Sequence, residues 1–94
     1  MKMHKPPRLG KFIVETYMKP LKLSCRYLAE KLDVARSILN RLIKQQSGVS
    51  PKMALRLSKS LGRSSQSWLL MQDSYDLFVA QTTVKLVRVK PIEF

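Results

Sequence analysis

The apolar residues of this chain recur at intervals of three and four positions over most of its length, which is the spacing of one face of an α-helix. In the first such segment, Leu9, Phe12, Ile13 and Tyr17 follow this spacing. A helix should begin near Leu9 and end before Pro20, because the residue that precedes a proline is disfavoured in the helical region. The pattern therefore predicts a chain that opens with a helix.

Two short helices joined by a tight turn are predicted next. Ser24 is suited to cap a helix in which Leu28 and Leu32 lie four positions apart on one face. A further helix, at about residues 35–44, starts only two or three positions after the first one ends. Residues 24–44 thus form a predicted helix-turn-helix, with the two helices at roughly a right angle.

The remaining pattern predicts two more helices and a tail. Ser50 and Pro51 suit the cap and the first position of a fourth helix. Trp68 belongs to a longer fifth helix and is expected in the core. Residues 82–94 alternate imperfectly between apolar and basic, which fits a short strand or a loose basic tail. The fold class is therefore all-α: one domain, residues 1–94, with about five helices and a short extended C-terminal tail.

The charge of the chain indicates a polyanionic partner. Lys and Arg number 18 and Asp and Glu 6, which leaves a net charge of +12. Nucleic acid and an anionic membrane surface are both polyanions, but no apolar run approaches 18 residues, so no segment is expected to span a bilayer. The first ten residues lack the apolar block of a secretion signal, so a cytoplasmic location is expected. With one Cys and one His, the sequence predicts no disulfide, no metal, no cofactor and no catalytic residues.

The second helix of the motif carries polar residues around its apolar positions, and these suit the reading of DNA bases in the major groove. Arg36 and Arg41 could each donate to the acceptors of guanine, and Asn40 could pair with an adenine edge. Ser37 could form a hydrogen bond with a base or a phosphate, and Ile38 could contact the methyl group of thymine. A merely solvated helix face is the alternative. The charge and the capped preceding helix favour DNA binding.

The segments "LSCRYLAEKLDVARSILNRL" and "VSPKMALRLSKSLGRSSQSWLLMQDSYDL" resemble the Xre-type, lambda-repressor-like helix-turn-helix of HigA-type antitoxins, also called virulence-associated protein I. The similarity extends over about residues 9–77. It implies a homodimeric repressor that binds double-stranded DNA at a palindromic operator in its own promoter and often neutralises a ribonuclease toxin, HigB-like in this case. By the same resemblance, the base-reading positions are Arg36, Ser37, Asn40 and Arg41, and the positions near phosphates are Ser24, Cys25 and Lys44.

The chain departs from the family pattern at four positions near this motif. Asp33 and Gln45 stand where the family usually has glycine, and Asp adopts the left-handed conformation better than most residues. Ala35 replaces the usual Ser or Thr that caps the recognition helix, so one amide loses its side-chain partner. Cys25 replaces a common glutamine. None of these changes removes the predicted reading face.

Other functions compatible with the sequence are a repressor without a toxin, a basic RNA-binding protein and a small basic ribonuclease. The ribonuclease role is not favoured, because the chain lacks an evident pair of acid and base residues for hydrolysis of RNA. The acidic residues are scattered, and only Asp73 and Asp76 on the fifth helix form a close pair. Contacts with a toxin are therefore expected to involve the fifth helix and apolar groups more than charge, and the dimer surface is expected to involve the fifth helix and the tail.

Overall fold

Five helices make up most of residues 6–93, the part of the chain that the computed structural model describes. In chain order they are α1 (residues 9–21), α2 (Cys25–Leu32), α3 (Arg36–Ile43), α4 (Pro51–Leu61) and α5 (Ser65–Thr83). Within residues 6–93 there is no β-strand. The all-α prediction is confirmed, and α2 and α3 form the predicted helix-turn-helix.

Helix α1 continues through Pro20, so the expectation that it ends before this residue is wrong. The helix consists of three consecutive parts, Leu9–Ile13, a π-helical turn at Val14–Met18, and Lys19–Leu21. In the π-helical turn, the N–H of Lys19 donates to the carbonyl of Val14, five residues earlier. This wider turn relieves the clash between a proline ring and the carbonyl four residues before it, which otherwise interrupts a helix.

Residues from all five helices form the core. Trp68 is fully buried, as predicted, and its indole Nε1 donates to the carbonyl of Gly62 at 3.0 Å. The rings of Phe12 and Tyr17 lie 5.9 and 6.1 Å from its ring, centroid to centroid. These aromatic contacts join α1 to α5. The other buried hydrophobic residues are Leu9, Ile13, Leu28, Ala29, Leu32, Leu39, Leu42, Val49, Met53, Ala54 and Leu57.

Serine side chains cap three of the helices. The hydroxyl oxygens of Ser24, Ser50 and Ser64 each accept the N–H of the residue three positions later, at 3.0, 3.2 and 3.0 Å. Pro51 occupies the first turn of α4, where its missing N–H costs nothing. The predicted caps at Ser24 and Ser50 are confirmed, and they place the start of α2 at Cys25.

A glycine allows α1 to approach the C-terminal end of α3 closely. A Cβ atom at Gly10 would lie 2.0 Å from the carbonyl oxygen of Leu42, so no other residue fits this contact without movement. Leu42 and Leu39 of α3 are buried. The buried leucines of α3 and the contact of its C-terminal end with α1 fix the orientation of the helix. The polar side of α3 therefore faces solvent.

A polar brace joins the segment after α3 to α5. The N–H of Val49 donates to Oε1 of Gln72 at 2.8 Å, and Nε2 of Gln72 donates to Oδ1 of Asp76 at 2.9 Å. The segment leaves α3 through Gln45, which adopts a left-handed φ of 64°. The brace fixes the path of the chain between α3 and α4.

The second half of α5 and the tail extend beyond the core. The radius of gyration is 16.1 Å, against about 12 Å for a compact chain of this length. Helix α5 continues to Thr83, so the tail begins at Val84 and not at residue 82 as predicted. Residues 84–93 are exposed and include a turn closed by the N–H of Val89 and the carbonyl of Leu86. Of the two predicted alternatives, a short strand or a loose tail, the structure has the loose tail. Phe94 lies outside the described residues.

Candidate nucleic-acid interface

The turn between α2 and α3 has the geometry that the motif requires. Asp33 adopts the left-handed conformation, with φ 56° and ψ 48°. The N–H groups of Asp33 and Val34 donate back to the carbonyls of Glu30 and Ala29, both at 3.1 Å. These two bonds are the Schellman arrangement that ends a helix at a left-handed residue. The prediction that Asp33 keeps the turn in place of glycine is confirmed.

Helix α3 separates its apolar and polar residues on opposite sides. Leu39 and Leu42 are buried, and Ile43 packs against the core beside them. At 100° per residue, Ser37, Arg41 and Lys44 lie opposite the buried side, with Arg36 and Asn40 on one flank and Ile38 on the other. All six of these residues are exposed. The structure thus brings the predicted reading residues to one solvent-facing surface.

The cations of this surface have no carboxylate partner in the part of the chain that the structure describes. Within residues 6–93, the salt bridges are Lys19 to Glu15, Arg26 to Glu30, and Arg56 to Asp33. Arg36, Arg41 and Lys44 take part in none of them. Their charges and N–H donors therefore face solvent and are available to an anionic partner.

The N-terminal end of α2 lies next to the Asn40 flank of α3. Cys25 is half-buried, and its Sγ lies 3.2 Å from Oδ1 of Asn40, within hydrogen-bonding distance for a thiol donor. Ser24 is exposed, and its hydroxyl oxygen accepts the N–H of Tyr27. Of the residues expected near phosphates, Cys25 contacts a base-reading candidate, while Ser24 and Lys44 are exposed.

The N-terminal end of α3 has no side-chain cap. Ala35 has the extended conformation of a cap residue, with φ −65° and ψ 146°, but no side-chain hydrogen bond. This agrees with the loss expected from an alanine at this position. Free amides at a helix N-terminus favour negative charge, so an approaching phosphate would be stabilised there.

The pattern that defines the helix-turn-helix family matches residues 14–68, which include all of α2, α3 and α4. The chain belongs to this family. Among curated proteins, it is 42% identical over 72 residues to virulence-associated protein I of Dichelobacter nodosus, a match that covers 77% of this chain and 67% of the relative. The resemblance stated from the sequence is therefore confirmed.

Solved structures of antitoxins share the fold of this helix-turn-helix protein. Antitoxin GraA, with 30% identity and a TM-score of 0.90, matches over 96% of this chain and 100% of its own. The Pseudomonas aeruginosa antitoxin HigA, solved with the higBA promoter, has 25% identity and a TM-score of 0.84, over 94% and 99% of the two chains. The likeness extends beyond the segment that defines the family, to the start of α1 and to most of α5.

Three polar residues that support the helix-turn-helix were missed by sequence reasoning. Arg56 donates to the carbonyls of Leu32 and Asp33, Ser60 donates to that of Lys31, and Gln72 accepts the N–H of Val49. The only local indication of these contacts is that each residue is next to apolar, core-facing residues of its own helix. Their partners are 23 to 29 positions away along the chain, and no local pattern identifies them.

Among residues 6–93, no group of three or more His, Cys, Asp or Glu side chains could hold a metal ion. No helix in this range is long and apolar enough to cross a membrane.

Proposed function

We propose that this helix-turn-helix protein is a sequence-specific DNA-binding transcriptional repressor whose α3 enters the major groove of an operator. The observation that carries the proposal is the exposed surface of α3, where Arg36, Arg41 and Lys44 have no carboxylate partner in the described residues. A major groove about 12 Å wide admits one helix and presents base acceptors to such donors. The antitoxin HigA of similar fold was solved with promoter DNA.

The proposed roles of the residues follow from their positions on α3. Arg36 and Arg41 donate to guanine acceptors, Asn40 reads an adenine edge, and Ser37 bonds a base or a phosphate. Ile38, 49% exposed on the edge of the surface, contacts a thymine methyl group. Lys44 and Ser24, at the ends of the motif, contact phosphates, which fix the register but carry no sequence information.

We propose further that the protein acts as a homodimer on a palindromic operator. One α3 reads only a few base pairs, and a two-fold dimer places two such helices about 34 Å apart on one side of the duplex. The exposed apolar residues of α5 and the tail suit the contact between copies. They are Leu70, Leu77, Val79, Val84, Leu86, Val87, Val89 and Ile92.

We propose that the repressor is also the antitoxin of a HigBA-type pair that regulates its own operon. The likeness to GraA and HigA over nearly the whole chain supports this role. Both members of the acidic pair considered from the sequence are exposed, but Asp76 accepts a hydrogen bond from Gln72 within the chain, whereas Asp73 lies beside the exposed Leu70 and Leu77. An apolar contact with a ribonuclease toxin, centred on α5, therefore fits the chain better than an acidic patch.

The proposal assigns the protein no catalytic residue and no cofactor. The chain has one His and six scattered carboxylates, which offer no acid and base pair for hydrolysis of RNA. A repressor acts where its operator is, so the proposal also places the protein in the cytoplasm. Both statements depend on the DNA-binding role.

DNA binding is tested by fluorescence anisotropy with the promoter segment of the protein's own gene and a scrambled duplex of equal length. We expect binding to the promoter to be tighter by a factor of about 10³ or more. Arg41→Ala should remove much of this difference. Lys59→Ala, which removes one charge from the exposed end of α4, should keep it. Equal affinity of the wild type for the two duplexes would contradict the repressor role, and tight binding to RNA in the same assay would favour the RNA-binding alternative.

The antitoxin role is tested by co-expression with the product of any adjacent toxin-like gene. We expect growth to be rescued and the two proteins to co-purify. Reversal of Asp73 to Lys should leave the complex intact, because the proposed contact is apolar. Loss of the complex in that variant would restore the acidic patch, and failure of rescue by the wild type would leave a repressor without a toxin.

A further inference from the structure

The start of the DNA-reading helix receives little support from its own sequence. Asp33 holds a left-handed conformation that disfavours residues with a Cβ atom. Two residues later, Ala35 supplies no side-chain cap to α3. Arg36 and Ser37, at the beginning of α3, therefore depend on a turn that is strained at one end and uncapped at the other.

Helix α4 supplies the missing support through two side chains. Nη1 of Arg56 donates to the carbonyl of Leu32 at 2.8 Å and to that of Asp33 at 2.9 Å. Oγ of Ser60 donates to the carbonyl of Lys31 at 3.0 Å. Three consecutive carbonyls at the end of α2 are thus bonded by α4. These groups carry the negative end of the helix dipole, which favours a guanidinium partner.

The same guanidinium also faces the carboxylate of the strained residue. Nη1 of Arg56 lies 3.8 Å from Oδ2 of Asp33, and the Arg56 side chain is 42% exposed. The carboxylate adds little by itself, since the Asp33 side chain is fully exposed and solvent screens its ion pair. The two carbonyl bonds carry most of the contact, and the one to Leu32 is partly buried. Arg56 therefore fixes the backbone of the turn more than it neutralises a charge.

We infer that Arg56 is a positioning residue for DNA recognition, which acts by clamping the turn between α2 and α3. This inference rests on the proposed function of α3. Base reading requires Arg36 and Ser37 to meet base edges in one geometry, whereas phosphate contacts tolerate variation. Without the clamp, the start of α3 can occupy several orientations. Formation of the specific complex must then order this segment, and the conformational entropy that is lost weakens binding. The clamp thus determines discrimination between sequences more than affinity for DNA in general.

The inference is tested with Arg56→Met, Arg56→Lys and the control Lys59→Met. Lys59 is exposed on the next turn of α4 and makes no hydrogen bond or ion pair to the α2–α3 turn among the described residues, so its substitution removes the same charge and leaves the bonds of Arg56 in place. We expect Arg56→Met to weaken binding to the promoter duplex roughly tenfold relative to Lys59→Met, as loss of a charged hydrogen bond implies. Binding to scrambled DNA should fall equally in both. Arg56→Lys, which lacks the planar fork, should lie between Arg56→Met and the wild type.

Hydrogen exchange distinguishes positioning from a general loss of stability. In Arg56→Met, the amides of Val34 to Leu39 should exchange faster while those of α5 around Trp68 stay protected. Asp33→Gly in the Arg56→Met background should restore part of the promoter affinity, because glycine relieves the left-handed strain. If Arg56→Met fails to fold, Arg56→Lys carries the test by the same two readouts.

Two results separate this inference from the proposed function. If the wild type does not prefer the promoter duplex, the repressor role fails. If the wild type prefers it and Arg56→Met or Arg56→Lys keeps the full preference with unchanged exchange at the turn, the repressor role stands and the clamp is wrong.

Discussion

The thiol of Cys25 lies 3.2 Å from the amide oxygen of Asn40, and this contact joins the first helix of the motif to the proposed reading surface of the second. An amide oxygen has two lone pairs, so a bond from the thiol leaves one lone pair and the NH₂ group for a base. An adenine edge needs both an acceptor and a donor from Asn40. The contact therefore fixes which edge of the amide faces the groove.

We predict that Cys25→Ala weakens the discrimination for adenine at the base pair read by Asn40. The expected loss is about fivefold, which corresponds to a net hydrogen bond of about 1 kcal/mol. Cys25→Ser, which keeps a donor, should retain most of the preference. The measurement is the affinity for promoter duplexes in which each base pair is exchanged in turn. An unchanged base profile in Cys25→Ala would show that Asn40 is oriented without the thiol.

We predict that Arg36 and Lys44 affect DNA binding in different ways. Arg36→Ala should cost about 1–3 kcal/mol on the promoter duplex and relax the preference at one position, since its fork reads a base. Lys44→Ala should weaken all duplexes alike and reduce the slope of log affinity against log salt by about one. Titrations at several salt concentrations measure both effects. Equal losses on promoter and scrambled DNA for Arg36→Ala would contradict its assignment to a base.

The predictions that succeeded from sequence concern local structure. Ser24 and Ser50 cap α2 and α4 as expected, since a cap depends only on residues within one turn. Asp33 adopts the left-handed conformation for a similarly local reason. The exposure of the polar side of α3 also follows from helical periodicity, because Leu39 and Leu42 determine which side is buried, while the base-reading role of that side stays a prediction.

The features that sequence reasoning missed depend on contacts across the fold. Proline was expected to end α1, but the π-helical turn before Pro20 accommodates its ring, and no local signal marks that turn. Arg56 and Gln72 bond backbone groups more than 20 positions away, which requires the packing of α4 and α5 to be known. The alternating pattern of the tail fitted both a short strand and a loose tail. A strand is stable only beside a partner strand, and a local pattern does not show whether such a partner exists.

We predict that Ala35→Ser stabilises the protein. Ala35 already has the backbone conformation of a cap residue, and a hydroxyl there can accept a free N–H of α3. The free energy of unfolding should rise by about 1 kcal/mol. Ser50→Ala, which removes the cap of α4, should lower it by a similar amount and serves as the matched control. Urea denaturation at one fixed protein concentration measures both. If only Ser50→Ala changes stability, the start of α3 is held by other contacts, such as those of Arg56.

The last prediction concerns the exposed leucines of α5. Leu77 is 60% exposed on the half of α5 that extends beyond the core, and Leu55 of α4 is 62% exposed elsewhere on the surface. If α5 forms the dimer contact, Leu77→Glu places a charge in an apolar interface and should yield a folded monomer in sedimentation velocity. Promoter affinity should then fall by roughly a hundredfold or more, because two half-sites are no longer bound together.

Leu55→Glu is the matched control, since it adds the same charge to an equally exposed leucine outside α5. It should leave both the dimer and the promoter affinity unchanged. A wild type that sediments as a monomer, both free and on the promoter duplex, would contradict the dimer. A dimer that persists in Leu77→Glu would move the contact away from this part of α5. In that case the exposed apolar residues of the tail, from Val84 to Ile92, become the next candidates, and Val87→Glu, at the most exposed of them, would test that contact in the same assay.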